Sequence, residues 1–242
     1  MSDIDRLYEC LQPYNADYEL YRFGINSDGG YITPKQAVLD ADVFYTYGVG
    51  GDISFELDVH KTRPASNYYL FDPTIDNIPT APPQFIFTKE GLGPQDNAPY
   101  FTYESHIKRF NNEDKKVFLK IDIEGGEYGA VDIINNKLQE NITALIIEVH
   151  NLNNQTERIK YCNLFDTLSN NFNLCHLHLN NHGGYHKIGE HVITPAIELA
   201  FINKKLYPGV YRPTNLNYPI PNLDYPNNTN IRDINLTFIK HI

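Results

Sequence analysis

The sequence has no tryptophan, one methionine and three cysteines, and it is poor in basic residues: 20 Lys and Arg stand against 30 Asp and Glu, a formal net charge of -10. That balance argues against sequence-independent nucleic-acid binding, which depends on Lys and Arg neutralising phosphates. Cys10, Cys162 and Cys175 are odd in number and have no metal-ligand spacing. They fit a reducing compartment better than a disulfide-stapled scaffold. No apolar run approaches the roughly 20 residues of a membrane-spanning helix, and the start "MSDIDRLYEC" has neither a basic stretch nor an apolar one. The expectation is a cytoplasmic chain with no membrane span. No repeat, charge block or Gly/Ser linker divides the 242 residues. A single domain over 1–242 is expected, with an N-terminal segment (1–40), a core (41–205) and a Tyr/Pro/Asn-rich extension (206–242).

Short apolar runs rich in β-branched and aromatic residues recur along the core: 43–50, 67–72, 84–88, 117–122, 144–150, 174–179 and 197–202. Such runs read as strands covered on both faces. Helical spacing appears between several of them, as in Val131, Ile134 and Leu138, or Ile159, Cys162, Phe165 and Leu168. Residues 2–12 read as a further, accessory helix. Strands alternating with helices imply a parallel sheet with right-handed crossovers. The segment "NNHGGYHKIGEHVITP" has no helical pattern, so the last two strands should pair antiparallel. The fold class is α/β: a Rossmann-like, seven-stranded, mostly parallel sheet with an antiparallel last strand and helices on both faces. The ending "YPGVYRPTNLNYPIPNLDYPNNTN" reads as loop, serving as a lid, a homodimer strap or surface packing.

In open α/β sheets ligands bind outside the carboxyl ends of the strands. The first strand ends in "YGVGGDISFE", where Gly48, Gly50 and Gly51 allow close backbone approach and a helix starts near Asp52. A dinucleotide fingerprint would need glycine where Ile53 stands. The second strand ends at Asp72, placed to accept hydrogen bonds from ribose hydroxyls. The fourth ends in "VFLKIDIEGGEY", with Lys120, Asp122, Glu124 and Glu127. The fifth ends in Glu148 and His150, the sixth in His176, His178 and Asn180, and the seventh begins near Glu198. Carboxylates and imidazoles from four strands thus converge, which suits general-base work or a divalent metal with mixed O and N ligands. Asp122 is the strongest candidate. Glu124 lines or shapes the site, Glu127 is a solvated charge at a helix start, and Lys120 has a smaller role.

The stretch around "LKIDIEGGE", with "IIEVH" on the next strand, "RFGINSDGGYI" upstream and "HLHLNNHGG…IELAFINK" downstream, resembles the FkbM-type branch of S-adenosylmethionine-dependent methyltransferases over roughly residues 20–205. Gly126 stands where that signature has Ala. The resemblance implies the class I methyltransferase fold with S-adenosyl-L-methionine as cofactor. Gly48, Gly50 and Asp52 would lie along its methionine end and Asp72 on its ribose, with Asp28, Gly29 and Gly30 covering it. Asp122 would sit between cofactor and acceptor. It also implies O-methylation of a sugar or another small hydroxylated acceptor, as in capsule or polysaccharide biosynthesis. On that reading His150 or His178 is the base, Glu148 completes the catalytic set, and a Mg²⁺-type ion on Asp122 and Glu148 is the alternative activator. Two rivals remain: an NAD-dependent nucleotide-sugar oxidoreductase or epimerase, and a non-catalytic binding subunit with the same fold.

Overall fold

The computed structural model describes residues 2–15, 17–78, 80–132, 134, 139–214 and 217–236. Seven strands form the central sheet: β1 (Val43–Tyr47), β2 (Asn67–Phe71), β3 (Phe85–Thr88), β4 (Val117–Ile121), β5 (Ile142–Val149), β6 (Phe172–Leu179) and β7 (Ile197–Asn203). Every residue of β1, β4, β5, β6 and β7 is buried. That is why these segments read as continuous apolar runs instead of alternating ones.

The strand order is β3-β2-β1-β4-β5-β7-β6. β7 runs antiparallel between β5 and β6, whereas the other neighbouring pairs are parallel. This is the expected class I, Rossmann-like methyltransferase fold. The order reverses between β1 and β4, and the crevice at such a switch point is where α/β sheets bind ligands. Gly48 follows β1 there and Asp122 follows β4, and the Asp122 amide donates to the Tyr47 carbonyl at 2.9 Å.

Six helices are described: α1 (Asp3–Cys10), α2 (Lys35–Asp40), α3 (Ser54–Thr62), α4 (Tyr103–Arg109), α5 (Glu127–Asp132) and α6 (Gln155–Leu168). A capping box between Ser2 and Asp5 starts α1. The buried face of α6 holds Arg158, Tyr161, Cys162, Phe165 and Leu168, while Ile159 is 45% exposed. The expected face was therefore offset: Arg158 takes the inward position because Asp3 of α1 accepts from its Nε at 2.6 Å. On α5, Val131 is buried, as is Ile134 beyond its end. Leu138 lies outside the described residues.

Two further elements shape the crevice. A hairpin of Leu20–Phe23 and Tyr31–Pro34 carries the "DGGY" turn over it. The C-terminal extension runs back along β6 and β7, where Asp224 pairs with His176 at 3.0 Å. Asp233 and Glu198 flank His178 at 3.2 and 3.4 Å. The Asn227 side chain donates to Glu198 at 2.5 Å and to Asp28 at 3.1 Å, which ties the extension to the "DGGY" turn.

Gly48 closes the crevice at its narrowest point. Its φ is +76°, and a Cβ there would lie 1.5 Å from the Asp122 carbonyl oxygen. Gly48→Ala should therefore cost more than about 2 kcal/mol by urea unfolding, whereas the open Gly51→Ala should stay within about 0.5 kcal/mol.

Candidate functional site

The crevice holds a cavity of about 640 Å³, lined by the turn after β1, Asp72 and Thr74 after β2, Leu92 and Tyr100, and Lys120 to Glu124 at the end of β4. Its volume is that of a small-molecule or cofactor site. Gly50 adopts φ +56°, and nothing lies within 4 Å of a Cβ built on Gly50 or Gly51. The space in front of that turn is therefore open to a ligand that approaches the backbone closely. Asp72 accepts from the Gly50 amide at 2.8 Å and from the Thr74 amide at 2.7 Å. Burial alone would raise the Asp72 carboxyl, but the Thr74 hydroxyl, which also donates to it, and the two amides outweigh burial and leave it below the usual range. It stays ionised, so it can accept from a diol.

The "DGGY" turn forms the cover. Asp28, Gly29 and Tyr31 line the large cavity. Gly29 has φ +87°, and Asp52 Oδ2 would lie 2.6 Å from a Cβ there. Asp52 also accepts from the Ser54 amide at 2.7 Å, where α3 begins. Gly30 lines neither this cavity nor the smaller one beside it. Its lack of a side chain serves packing, since a Cβ would sit 2.0 Å from the Ile25 carbonyl oxygen.

A second cavity of about 240 Å³ shares Asp28, Asp122 and Glu124 with the first and adds Glu148, His150, Asn180 and His182. Asp122 therefore stands between two spaces. Its Oδ2 accepts from the Tyr31 hydroxyl at 3.0 Å, and its buried Oδ1 has no hydrogen-bond partner among the described residues. Burial raises its carboxyl above the ordinary value.

Glu127 corrects the sequence reading most. The expected solvated charge is fully buried. Its Oε1 accepts from the amides of Ile123 (3.2 Å) and Gly125 (3.0 Å), and its Oε2 accepts from the Tyr161 hydroxyl at 2.9 Å. Nδ1 of His150 meets Oε1 at 3.0 Å. Gly125 reaches the carboxylate with φ +114°, a backbone conformation suited to glycine. Nε2 of His150 is thereby aimed at Glu124 (3.4 Å), Glu148 (3.8 Å) and Asp122 (3.9 Å). Burial disfavours the imidazolium, but the Glu127 hydrogen bond and the charges of Glu127, Glu148 and Asp122 raise His150 to about 9.

Lys120 also differs from expectation. It is buried, sits 3.7 Å from Glu56, and lies over the Tyr31 ring at 4.6 Å. Glu148 is brought into the second cavity, where Asn180 donates to its Oε1 at 2.8 Å. His178 is not brought there: it lines neither cavity, and its two nitrogens face Glu198 and Asp233. Against the effect of burial, those two partners raise it to about 10 and hold it as a cation.

For a metal, the ligand atoms among the described residues that come within 4.8 Å of one another belong to Asp122, Glu127 and His150, so Glu127 stands in that group where Glu148 was expected. Both Glu127 oxygens are already engaged, which makes it a group that orients His150. The carboxylate oxygens left free are Asp122 Oδ1 and the second one of Glu148.

No protein-family model matches the chain, and no curated protein does. The crystal structure of precorrin-6y C5,15-methyltransferase from Geobacter metallireducens is similar over 69% of this chain and 86% of that one, at 11% identity and a TM-score of 0.36. At that score the likeness adds no detail to the site.

Replacing Glu127 by Gln should bring the His150 imidazole down from about 9 toward its ordinary 6.5, read by an NMR titration. The wild-type contribution of the pair to stability is complete below 6.5 and lost as pH rises through about 9. The gap in unfolding free energy between wild type and Glu127→Gln should therefore narrow as pH rises through that value, leaving the share due to the Ile123, Gly125 and Tyr161 donors; a constant gap would contradict the assignment.

Proposed function

We propose that this protein is an S-adenosylmethionine-dependent O-methyltransferase of the FkbM type, acting on a hydroxyl of a saccharide or surface-glycan precursor. The observation that carries it is the pair of cavities meeting at Asp122, at the β1/β4 switch point of a class I methyltransferase sheet. The larger one fits the cofactor. Gly48, Gly50 and Gly51 give the backbone room, Asp72 accepts from ribose hydroxyls, and Asp28, Gly29 and Asp52 form the cover.

When bound, the cofactor supplies an electrophilic sulfonium methyl. The protein's work is then to align an acceptor oxygen and remove its proton. Nε2 of His150 is the atom placed to take that proton, and Glu127 on Nδ1 fixes the ring and stabilises the imidazolium. Asp122 is held by Tyr31 at the mouth shared by both spaces, where it orients the acceptor hydroxyl. In the second reading, Asp122 and Glu148 would hold a divalent ion that favours the alkoxide.

The NAD-dependent alternative is weakened by Ile53 at the third fingerprint position; the one Tyr-x-x-x-Lys spacing, Tyr31 to Lys35, does not bring its lysine to the site, since Lys35 pairs with Glu19 at 3.4 Å and lines neither cavity. The scaffold alternative is opposed by the preserved acid–imidazole set.

S-adenosylhomocysteine should bind and raise the melting temperature, and NAD should not; the reverse would favour the oxidoreductase. With a glycan acceptor, kcat/KM should climb about tenfold per pH unit from 7 and level near 9, because the base must lose its proton. His150→Ala should lower kcat by about 10²–10⁴-fold. Exhaustive chelation should leave turnover unchanged; loss restored by Mn²⁺ or Mg²⁺ would transfer the activating role to an ion.

A further inference from the structure

The second cavity has an unbalanced lining. Asp28, Asp122, Glu124 and Glu148 contribute four carboxyls, His150 and His182 are its basic side chains, and no Lys or Arg lines it. Lys120 lines the first cavity and not this one, so a phosphate here would meet four carboxyls against two imidazoles.

Two of the acids have open hydrogen-bonding capacity. Glu148 is 3% exposed; its Oε1 takes the Asn180 amide, and its other oxygen takes no hydrogen bond among the described residues. Asp122 Oδ1 is buried and unpartnered. The β5–β7 register sets Glu148 directly opposite Glu198, adding a third carboxyl behind the pair. Burial, then the charges of Asp122 and Glu198, push the Glu148 carboxyl well above its usual range. Buried carboxylates of this kind are stable only when paired; the Nε2 edge of His150 lies 3.8–3.9 Å from both Glu148 and Asp122, and Asp122 also feels the charge of Lys120.

We propose that this cavity takes a protonated amine, an ammonium group held by Asp122 and Glu148, so that the substrate class is an amine-bearing saccharide or polyol and not a phosphorylated one. An ammonium has three donors on one small head and no acceptor. The free Asp122 and Glu148 oxygens can take two of them, and Asp28 and Glu124 at the more exposed rim add a field that attracts cations. A divalent ion would draw on the same oxygens, and chelation separates the two. That the cavity takes an amine stands on its lining; that the amine belongs to a methyl acceptor rests on the methyl-transfer reading.

Calorimetric titration of the full chain with a 2-amino-2-deoxyhexose, its N-acetyl form and its 6-phosphate, with and without S-adenosylhomocysteine and after chelation, tests this. The free amine should bind at least tenfold tighter than either derivative. Asp122→Asn and Glu148→Gln should each lower that affinity at least fivefold, and the rim variant Glu124→Gln less than threefold. Gln is close in shape to the protonated Glu148 side chain, so Glu148→Gln should fold. Equal affinity for the amine and its N-acetyl form would overturn the proposal, as would amine affinity unchanged in both buried variants. Stoichiometric Mn²⁺ binding that displaces the amine and is lost in Asp122→Asn would overturn it in favour of a divalent ion. Amine binding without S-adenosylhomocysteine binding would support it while removing the methyl-transfer reading.

Discussion

A buried carboxylate organises this site. Glu127 lies at the start of α5 with no exposed surface, and it gathers donors from the β4–α5 turn, from β5 and from α6. An ionised carboxylate in such a place is tolerable only when its lone pairs are filled, and here two amides, an imidazole and a phenol fill them. Removing any one donor would leave charge uncompensated, so the turn, the His150 ring and α6 are fixed relative to one another. His150 then presents Nε2 to the cavity beside Asp122.

The rest of the site follows from the sheet. The switch between β1 and β4 opens a crevice that the turn after β1 and the end of β4 approach from opposite sides, and Gly48 is the only residue type that fits between them. The cover is made from distant segments: the "DGGY" turn is held from below by the Ser54 hydroxyl at the α3 start, which donates to the Gly29 carbonyl, and from outside by Asn227. The C-terminal extension lines neither cavity and backs the wall from behind, with Asp224, Asn227 and Asp233 matched to His176, Glu198 and His178. Charge is distributed unevenly between the two spaces: Lys120 belongs to the larger, and the smaller is lined by acids and imidazoles.

Much of this was legible in the sequence, and what was not has a physical cause. Strands covered on both faces write themselves as apolar runs, so all seven could be read. A carboxylate ending such a run, like Asp122 or Asp72, stands out because solvent cannot reach the strand behind it. Glu127 could not be read that way, since three residues in "GGEY" precede or follow it with loop-like composition, and its main side-chain partners, His150 and Tyr161, are 23 and 34 residues away. Lys120 did carry a signal: inside "VFLKI" on a central parallel strand a lysine needs a buried partner or a cavity, and it has both, Glu56 and the larger space. His176 and His178 share a face and looked alike, yet their partners come from the extension, whose Pro- and Asn-rich sequence has no period to read. Ile159 misled because one apolar residue beside an inward Arg shifts the apparent helical stripe.

The central claim is that one small-molecule cofactor fills the larger cavity with its reactive end at Asp122, facing His150 across the mouth of the smaller one. A crystal structure of the protein with S-adenosylhomocysteine tests this most directly. The account predicts the ribose hydroxyls on Asp72, the nucleoside against the Gly48–Gly51 turn, and the sulfur directed toward Asp122 and the second cavity. A ligand seated elsewhere, or one whose sulfur faces away from Asp122 with Asp72 uninvolved, would contradict it.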